Sequence, residues 1–236
     1  MKDLGGQVAS VTGGAAGIGK GIASVLAREG ARVVIADTNM DRAEVTAGEL
    51  RDTGLAAIAV RCDVTRREET EALADRTIRH WGKIDILAAN AGMLGILTPL
   101  GHLQPKVWDQ VMSVNLTANW RLIRAFEPLL KRSDAGRAMF VTSGASRGRF
   151  AYWGAYAVSK AALDALVGTW AAETVKTNVR VNLIDPGVVA TRRRAEAFPG
   201  EDPGKLATPE AVTDTFVELA EAACSRHGEV VRATAG

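Results

Sequence analysis

Short runs of β-branched and other apolar residues alternate along the chain with longer stretches in which apolar residues recur every three or four positions. The short runs predict buried strands, and the longer stretches predict amphipathic helices. Strands are predicted at residues 7–11, 32–37, 56–61, 84–88, 137–142, 180–184 and 229–231. Helices are predicted at residues 18–29, 66–80, about 106–131, 155–176 and 210–226. This alternation predicts an α/β fold, a Rossmann-type doubly wound parallel sheet of about seven strands with helices on both faces.

Local sequence signals mark some of the element starts. Thr65 and Glu68 have the spacing of a capping box, and Thr208 precedes Pro209 as a hydroxyl cap precedes a first-turn proline. No repeat or linker interrupts the pattern, so we expect one domain over residues 1–236 that binds a dinucleotide and carries out catalysis.

Charge and composition narrow the classes of partner. Lysines and arginines number 29 against 27 acidic residues, a formal net charge of +2. This balance favours neither a nucleic-acid partner nor an anionic membrane surface. Residues 1–6 lead directly into the first predicted strand and leave no room for a signal peptide, and no apolar run reaches membrane-spanning length. We therefore expect a cytoplasmic protein whose partner is a small molecule.

The cysteines and histidines do not form a metal-binding pattern. Cys62 and Cys224 have neither metal-ligand spacing nor the density of a disulfide framework, so we interpret them as reduced, packed thiols. The histidines are scattered, and solvent exposure explains them: His80, His102 and His227. We expect no metal site.

A glycine-rich turn follows the first predicted strand and leads into a helix. The turn contains Thr12, Gly13, Gly17, Ile18 and Gly19. Glycines allow a ligand to approach the backbone closely, and a helix N-terminus offers free N–H groups to a pyrophosphate. The turn therefore predicts a dinucleotide site, although a glycine turn without a ligand remains an alternative.

Asp37 ends the second predicted strand, eighteen positions after Gly19. An acid near this spacing accepts hydrogen bonds from the adenosine ribose hydroxyls and repels a 2′-phosphate. Its neighbours Thr38 and Asn39 provide no cation to offset that repulsion. The sequence therefore favours NAD over NADP, with capping of the next helix as the alternative role for Asp37.

The spacing Thr12-Gly13-x-x-x-Gly17-Ile18-Gly19 resembles that of the short-chain dehydrogenase/reductase family, and the resemblance extends over nearly the whole chain. Ala89 departs from the pattern, because an asparagine is common there. The resemblance implies these roles, in chain order: adenine contact for Asp63 and Val64, the N-A-G segment for Asn90, Ala91 and Gly92, catalysis for Asn115, Ser143, Tyr156 and Lys160, and the nicotinamide carboxamide segment for Pro186, Gly187 and Thr191.

The residue types also suit oxidation of an alcohol or reduction of a ketone. Either direction needs a group that exchanges a proton with the reacting oxygen and donors that stabilise an oxyanion. Tyr156 and Lys160 are four positions apart, so they share one helix face and the ammonium can lower the tyrosine pKa. Ser143 can bond the substrate oxygen, and the resemblance assigns Asn115 to a proton-relay water.

Each of these residues also has a simpler interpretation. An i, i+4 Tyr–Lys pair is usually a surface contact, Ser143 can cap a turn, and Asn115 can bond a neighbouring backbone group. Two functions remain open at this point: an NAD(P)-dependent oxidoreductase acting on CH–OH or C=O groups, and a dinucleotide-binding sensor or regulatory protein without turnover. The tyrosine and lysine favour the enzyme.

The substrate is not identified by the sequence. The expected pocket residues are apolar and aromatic: Met93, Leu94, Phe150, Tyr152 and Trp153. The resemblance implies a homodimer or homotetramer built on the helices that carry Asn115 and Tyr156. Residues 192–194 are consecutive arginines that can bind the cofactor pyrophosphate, an anionic substrate group or only solvent. Prolines and glycines within 199–204 predict a short, mobile lid.

Overall fold

The computed structural model describes residues 3–233 of the chain, and residues 1–2 and 234–236 of the expected domain lie outside this part. The described residues form one α/β domain around a parallel sheet with the strand order β3-β2-β1-β4-β5-β6-β7. The strands are β1 Val8–Thr12, β2 Arg32–Asp37, β3 Ala57–Arg61, β4 Ile86–Ala89, β5 Arg137–Val141, β6 Arg180–Asp185 and β7 Val230–Arg232. The predicted fold class and all seven predicted strands are confirmed.

Helices connect the strands. They are α1 Gly17–Arg28, α2 Met40–Asp52, α3 Arg67–Trp81, α4 Pro105–Met112, α5 Ala118–Leu130, α6 Gly154–Thr174, α7 Arg192–Ala197 and α8 Asp214–Ala220. A π-helical turn, Ser113–Thr117, joins α4 to α5, and short 3-10 turns occupy Leu100–His102, Gly144–Ser146, Pro203–Lys205 and Glu210–Val212. In the described part of the chain, no helix is both long and apolar enough to cross a membrane.

Both faces of the sheet are buried, and successive residues of β2 show this. Val33 and Ile35 belong to the core on one face, and Val34 belongs to the core on the other. Helices α1, α2 and α8 cover the first face, and α3, α5 and α6 cover the second. A strand buried on both sides is expected to be apolar throughout, as the predicted runs are.

Three sequence predictions about the helices are wrong. The prediction omits α2, whose buried residues are mainly small, and it treats α4, the π-helical turn and α5 as one helix. The predicted helix 210–226 is a 3-10 turn followed by α8, which ends at Ala220. There Arg137 donates hydrogen bonds to the carbonyl oxygens of Glu221, Ala222 and Cys224, which holds the chain in a non-helical path.

The predicted capping box at the start of α3 is also wrong. The N-cap position is Arg66 and has no side-chain cap. The hydroxyl of Thr65 instead donates to Asp63 Oδ1 at 2.7 Å. Thr208 does act as a cap, because its Oγ1 accepts a hydrogen bond from Ala211 N at 3.3 Å.

Candidate active site

A groove of about 420 Å³ lies at the carboxyl edge of the sheet, where β1 and β4 are neighbours and the chain leaves them in opposite directions. Parallel α/β sheets bind ligands at such a switch point. Ten of the predicted cofactor-binding residues line it: Gly13, Gly17, Ile18, Asp37, Asp63, Val64, Asn90, Ala91, Gly92 and Thr191. The remaining ones lie beneath the groove or in the adjoining pocket described below.

The glycines of the turn are required by its geometry. Gly13 and Gly17 have φ angles of +63° and +53°, which side chains rarely adopt. A Cβ atom on Gly19 would lie 2.0 Å from the carbonyl oxygen of Gly13. Glycine at these positions therefore allows the turn to fold tightly against the start of α1, at the wall of the groove.

Thr12 and Asn90 join the two strands at the switch point. The buried Oγ1 of Thr12 accepts hydrogen bonds from the backbone N–H groups of Asn90 and Ala91 at 3.1 and 3.2 Å. In return, Asn90 Nδ2 donates to the carbonyl oxygens of Thr12 and Gly13, both at 3.1 Å. These two residues fix the floor of the groove.

Two carboxylates lie at one end of the groove. Asp37 accepts hydrogen bonds from the N–H groups of Asn39 and Ala15 at 3.0 and 3.3 Å. Helix α2 is capped by Asn39 and not by Asp37, so the helix-capping alternative for Asp37 is wrong. Asp63 is held by the N–H group and hydroxyl of Thr65. Both carboxylates keep acceptor capacity for a ligand.

A second, smaller pocket of about 100 Å³ adjoins the groove and shares Ile18, Thr191 and Arg193 with it. Its lining includes the predicted residues Ser143, Tyr156, Pro186, Gly187 and Thr191. Three parts of the chain therefore meet beside the groove: the segment after β5, the segment after β6 and the first turn of α6. The pocket therefore places Ser143 and Tyr156 next to the groove.

Tyr156 and Lys160 are both buried, with exposed fractions of 7% and 2%. They are therefore not the surface pair of the simpler interpretation. Lys160 Nζ lies 5.9 Å from the centre of the Tyr156 ring and donates to the carbonyl oxygen of Val141 at 2.7 Å. Burial, reinforced by the positive charge of Arg193, lowers the pKa of Lys160 to about 7, and Asp164 opposes this shift.

Ser143 forms the cap of the simpler interpretation and also lines the pocket. Its Oγ accepts a hydrogen bond from Ala145 N at 3.2 Å. This bond uses one acceptor site, so the O–H donor remains available to a ligand.

Asn115 lies in the π-helical turn and is completely buried. Its Oδ1 accepts a hydrogen bond from Met93 N at 2.8 Å, and its Nδ2 donates to Met93 O and to Ser159 Oγ at 2.9 and 3.0 Å. Both amide donors are therefore in use. The side chain holds the segment after β4, next to Gly92, in place.

The expected substrate pocket is reproduced in part. Leu94 and Trp153 line it, whereas Phe150 and Tyr152 are exposed. Trp153 lies 5.8 Å from the Tyr156 ring and 5.9 Å from the Phe198 ring, measured between centroids. Arg193 and Arg194 of the predicted arginine run also line it, together with residues of the same segment that were not expected from the sequence: Val188, Val189 and Ala197. In the sequence, only the run of arginines indicated that the segment after β6 contributes to the pocket.

The remaining polar candidates have structural surroundings. Cys62 lines the groove, but burial raises the pKa of its thiol to about 12, so the thiol stays protonated. Cys224 is also a free thiol. His227 is not simply solvent-exposed, because it bonds Val181 N at 3.1 Å and Ala171 O at 2.7 Å.

Comparison with known proteins agrees with this geometry. The sequence model of the family described as short chain dehydrogenase matches residues 7–202. The chain is 36% identical over 219 residues to the uncharacterized oxidoreductase YciK of Escherichia coli K12, covering 92% of this chain and 86% of that protein. It is 37% identical over 195 residues to the 7alpha-hydroxysteroid dehydrogenase of the same organism, covering 80% and 73%.

Solved structures show the same similarity in three dimensions. A short chain dehydrogenase from Shigella flexneri in complex with NADP aligns with a TM-score of 0.94 at 34% identity, over 98% of this chain and 99% of that one. One from Escherichia coli CFT073 in complex with NADPH aligns with a TM-score of 0.93 at 34% identity, over 98% of each chain. The chain belongs to the short-chain dehydrogenase/reductase family and is an NAD(P)-dependent oxidoreductase.

Proposed function

We propose that the protein transfers a hydride between NAD(H) and an alcohol or ketone, with Tyr156 as the general acid/base. The observation that carries the proposal is the burial of Tyr156 and Lys160 together, in a pocket that opens beside the dinucleotide groove. The groove also fits a dinucleotide, because the glycine turn at the start of α1 lines it.

The chain's own residues have distinct tasks in this reaction. The bound nicotinamide would accept or donate the hydride. Tyr156 exchanges a proton with the reacting oxygen, and the free O–H donor of Ser143 stabilises negative charge on that oxygen. Lys160 contacts the nicotinamide ribose, and Asn115 fixes the adjacent segment and supports a relay water. The ribose and relay roles follow from the family resemblance.

The same proposal assigns the cofactor-binding residues. Gly13, Gly17, Ile18 and Gly19 bind the pyrophosphate, with Thr12 supporting the turn. The remaining contacts are Asp37 with the adenosine ribose, Asp63 and Val64 with the adenine, Asn90, Ala91 and Gly92 with the groove floor, and Pro186, Gly187 and Thr191 with the nicotinamide carboxamide.

NAD is the proposed cofactor, although two structures similar to this one contain NADP or NADPH. The Asp37 carboxylate lies on the groove wall beside Thr38. A 2′-phosphate there would meet a negative charge, and the arginines that line the groove come from the segment after β6. The electrostatics at this end therefore favour a free 2′-hydroxyl.

We also propose a homo-oligomer that uses the helices around the active site. Trp120 on α5 and Val158 on α6 are exposed although both are large and apolar. Light scattering on the purified protein would test this proposal, and a monomer at micromolar concentration would contradict it.

A turnover assay separates the enzyme from a dinucleotide sensor on the same fold. The purified protein is mixed with NADH and a panel of ketones, and with NAD and the matching alcohols, while NADH absorbance is followed. We expect turnover with at least one pair. Tight NADH binding without turnover on a broad panel would favour the sensor.

A further inference from the structure

The three consecutive arginines at the start of α7 have three different environments. The Arg192 side chain is 82% exposed and pairs with Glu196 at 2.8 Å. Arg194 forms two hydrogen bonds to Glu201, at 2.5 and 2.7 Å, and its guanidinium lies 3.7 Å from the centre of the Phe198 ring. Both of these arginines therefore have acidic partners within their own segment.

Arg193 points in the opposite direction, into the site. Its Nη2 donates to the carbonyl oxygen of Gly92 at 2.6 Å, although the two residues are 101 positions apart. Among residues 3–233, no carboxylate lies within ion-pair distance of its guanidinium. Arg193 lines both the groove and the catalytic pocket, so it stands at their junction with a neutral partner.

The segment that carries Arg193 also lies against the start of α1. A Cβ atom built on Gly17 would be 3.7 Å from the Thr191 side-chain methyl. Arg193 is two residues further along, and a Cβ atom built on Gly92 would be 3.7 Å from both Arg193 Nη2 and Lys160 Nζ. The segment therefore lies against the glycine turn, while the guanidinium lies on the Gly92 side of the groove. The acidic residues Asp37 and Asp63 line the groove as well, among the residues assigned to the adenosine.

We propose that Arg193 binds the pyrophosphate of the dinucleotide, exchanging the Gly92 carbonyl oxygen for phosphate oxygens. This inference rests on the proposed function, because it assumes that the groove holds a dinucleotide. The exchange is favourable because phosphate oxygens carry a negative charge that the carbonyl oxygen lacks, and a guanidinium can bond them in a bidentate way. Arg193 would thereby connect α7, and with it one wall of the catalytic pocket, to the bound cofactor.

Calorimetry on four variants tests the assignment. R193A and R193Q remove the charge, R193K keeps it as a point charge, and R28A is the matched control, because Arg28 also donates to a backbone carbonyl oxygen, that of Ser24, but does not line the groove. We expect R193A and R193Q to weaken NADH and ADP-ribose binding roughly tenfold or more, the loss typical of a hydrogen bond to a charged group. R193K should bind with an affinity between theirs and that of the wild type, and R28A should bind within about twofold of the wild type.

Adenosine, used as a competitor against NADH, separates the pyrophosphate from the rest of the ligand. Its affinity should be the same in R193A and the wild type, because it has no phosphate. Unchanged NADH and ADP-ribose binding in R193A and R193Q would overturn the inference. A rise in the Michaelis constant that is confined to anionic substrates would also overturn the inference, because it would indicate that the guanidinium binds the substrate. If the wild type itself binds neither NADH nor ADP-ribose, the proposed function fails instead.

Discussion

The ammonium group of Lys160 donates to the backbone carbonyl oxygen of Val141 at 2.7 Å, inside a site that leaves the lysine 2% exposed. This contact anchors α6 to the end of β5, the strand that leads to Ser143. One hydrogen bond to a neutral acceptor only partly replaces the lost hydration of an ammonium. The pKa of Lys160 accordingly falls from 10.5 to about 7.

This shift predicts a pH-dependent stability difference between the wild type and K160M. Between about pH 7 and 10.5 the unfolded lysine holds a proton that the folded lysine lacks, so the stability of the wild type rises with pH over this range. The free energy of unfolding of K160M minus that of the wild type should therefore be largest below about pH 7 and decrease toward pH 10.5. Urea unfolding of both proteins across one pH series measures this. A difference that stays constant between neutral and alkaline pH would contradict it.

Replacing Tyr156 with phenylalanine should remove proton transfer and keep the ring. We expect Y156F to lose at least about a hundredfold in kcat, as general acid/base groups contribute, with little change in NADH affinity. Y152F is the matched control, because Tyr152 is exposed and is not among the residues that line the pocket. If Y156F kept more than a tenth of wild-type activity on the best substrate, the acid/base assignment would be wrong.

Asp37 should set the cofactor preference. We expect NADH to bind at least about tenfold more tightly than NADPH, a difference of about 1.4 kcal/mol in binding free energy. The variant D37N should reduce this difference, because it lacks the carboxylate charge. D63N removes a charge from the same groove. It should leave the NADH to NADPH ratio unchanged, since Asp63 is assigned to the adenine. Equal affinity of the wild type for both cofactors, measured by calorimetry, would refute the preference.

Asn115 should matter for both stability and turnover. N115A leaves the N–H and C=O groups of Met93 without these partners, at a cost of about 1–3 kcal/mol in the free energy of unfolding. N182A is a matched control, because Asn182 is also buried and bonds two backbone groups, Arg226 O and Glu229 N. Both variants should lose comparable stability, but only N115A should lower kcat. Equal kcat in the two variants would reduce Asn115 to a structural role.

Gly19 should not tolerate alanine. The added Cβ would meet the Gly13 carbonyl oxygen, so G19A must deform the glycine turn. We expect a loss of about 1–3 kcal/mol in stability and a marked loss of NADH affinity. G168A is the control within a helix, where a Cβ meets nothing within 4 Å, and it should gain about 0.5–1 kcal/mol. NADH binding to G19A at wild-type affinity would show that the turn is not the pyrophosphate site.

Most strands could be predicted because they are short, largely apolar runs whose residues are buried, as in β1, β4 and β5. The helices were harder to predict. In α2 the buried residues are mainly small, Ala43, Thr46, Ala47 and Leu50, so its apolar stripe is weak. The end of α8 depends on Arg137, a residue more than eighty positions away, which no local pattern could reveal.

In the site, too, the features that depend on local sequence could be predicted, and those that depend on distant contacts could not. The positions of Tyr156 and Lys160 follow from helix spacing, but their burial depends on how α6 packs on the sheet. The sequence showed three equivalent arginines, and only the contact with the distant carbonyl oxygen of Gly92 distinguishes Arg193 from its neighbours, which pair with local glutamates. The π-helical turn at Asn115 likewise has no sequence pattern of its own, because its width is set by the Met93 and Ser159 contacts.

The all-parallel strand order has a consequence for the folding of the chain. No strand can pair with its neighbour as a hairpin, because every pair in the sheet is parallel and needs a crossover connection. The sheet therefore has few local contacts, and such topologies fold slowly. Strands β1 to β3 are complete once residue 61 has been synthesised, whereas β7 arrives at residues 230–232. The edge of β6 therefore stays open until residues 230–232 have been synthesised, and an open strand edge can pair with another chain during that time.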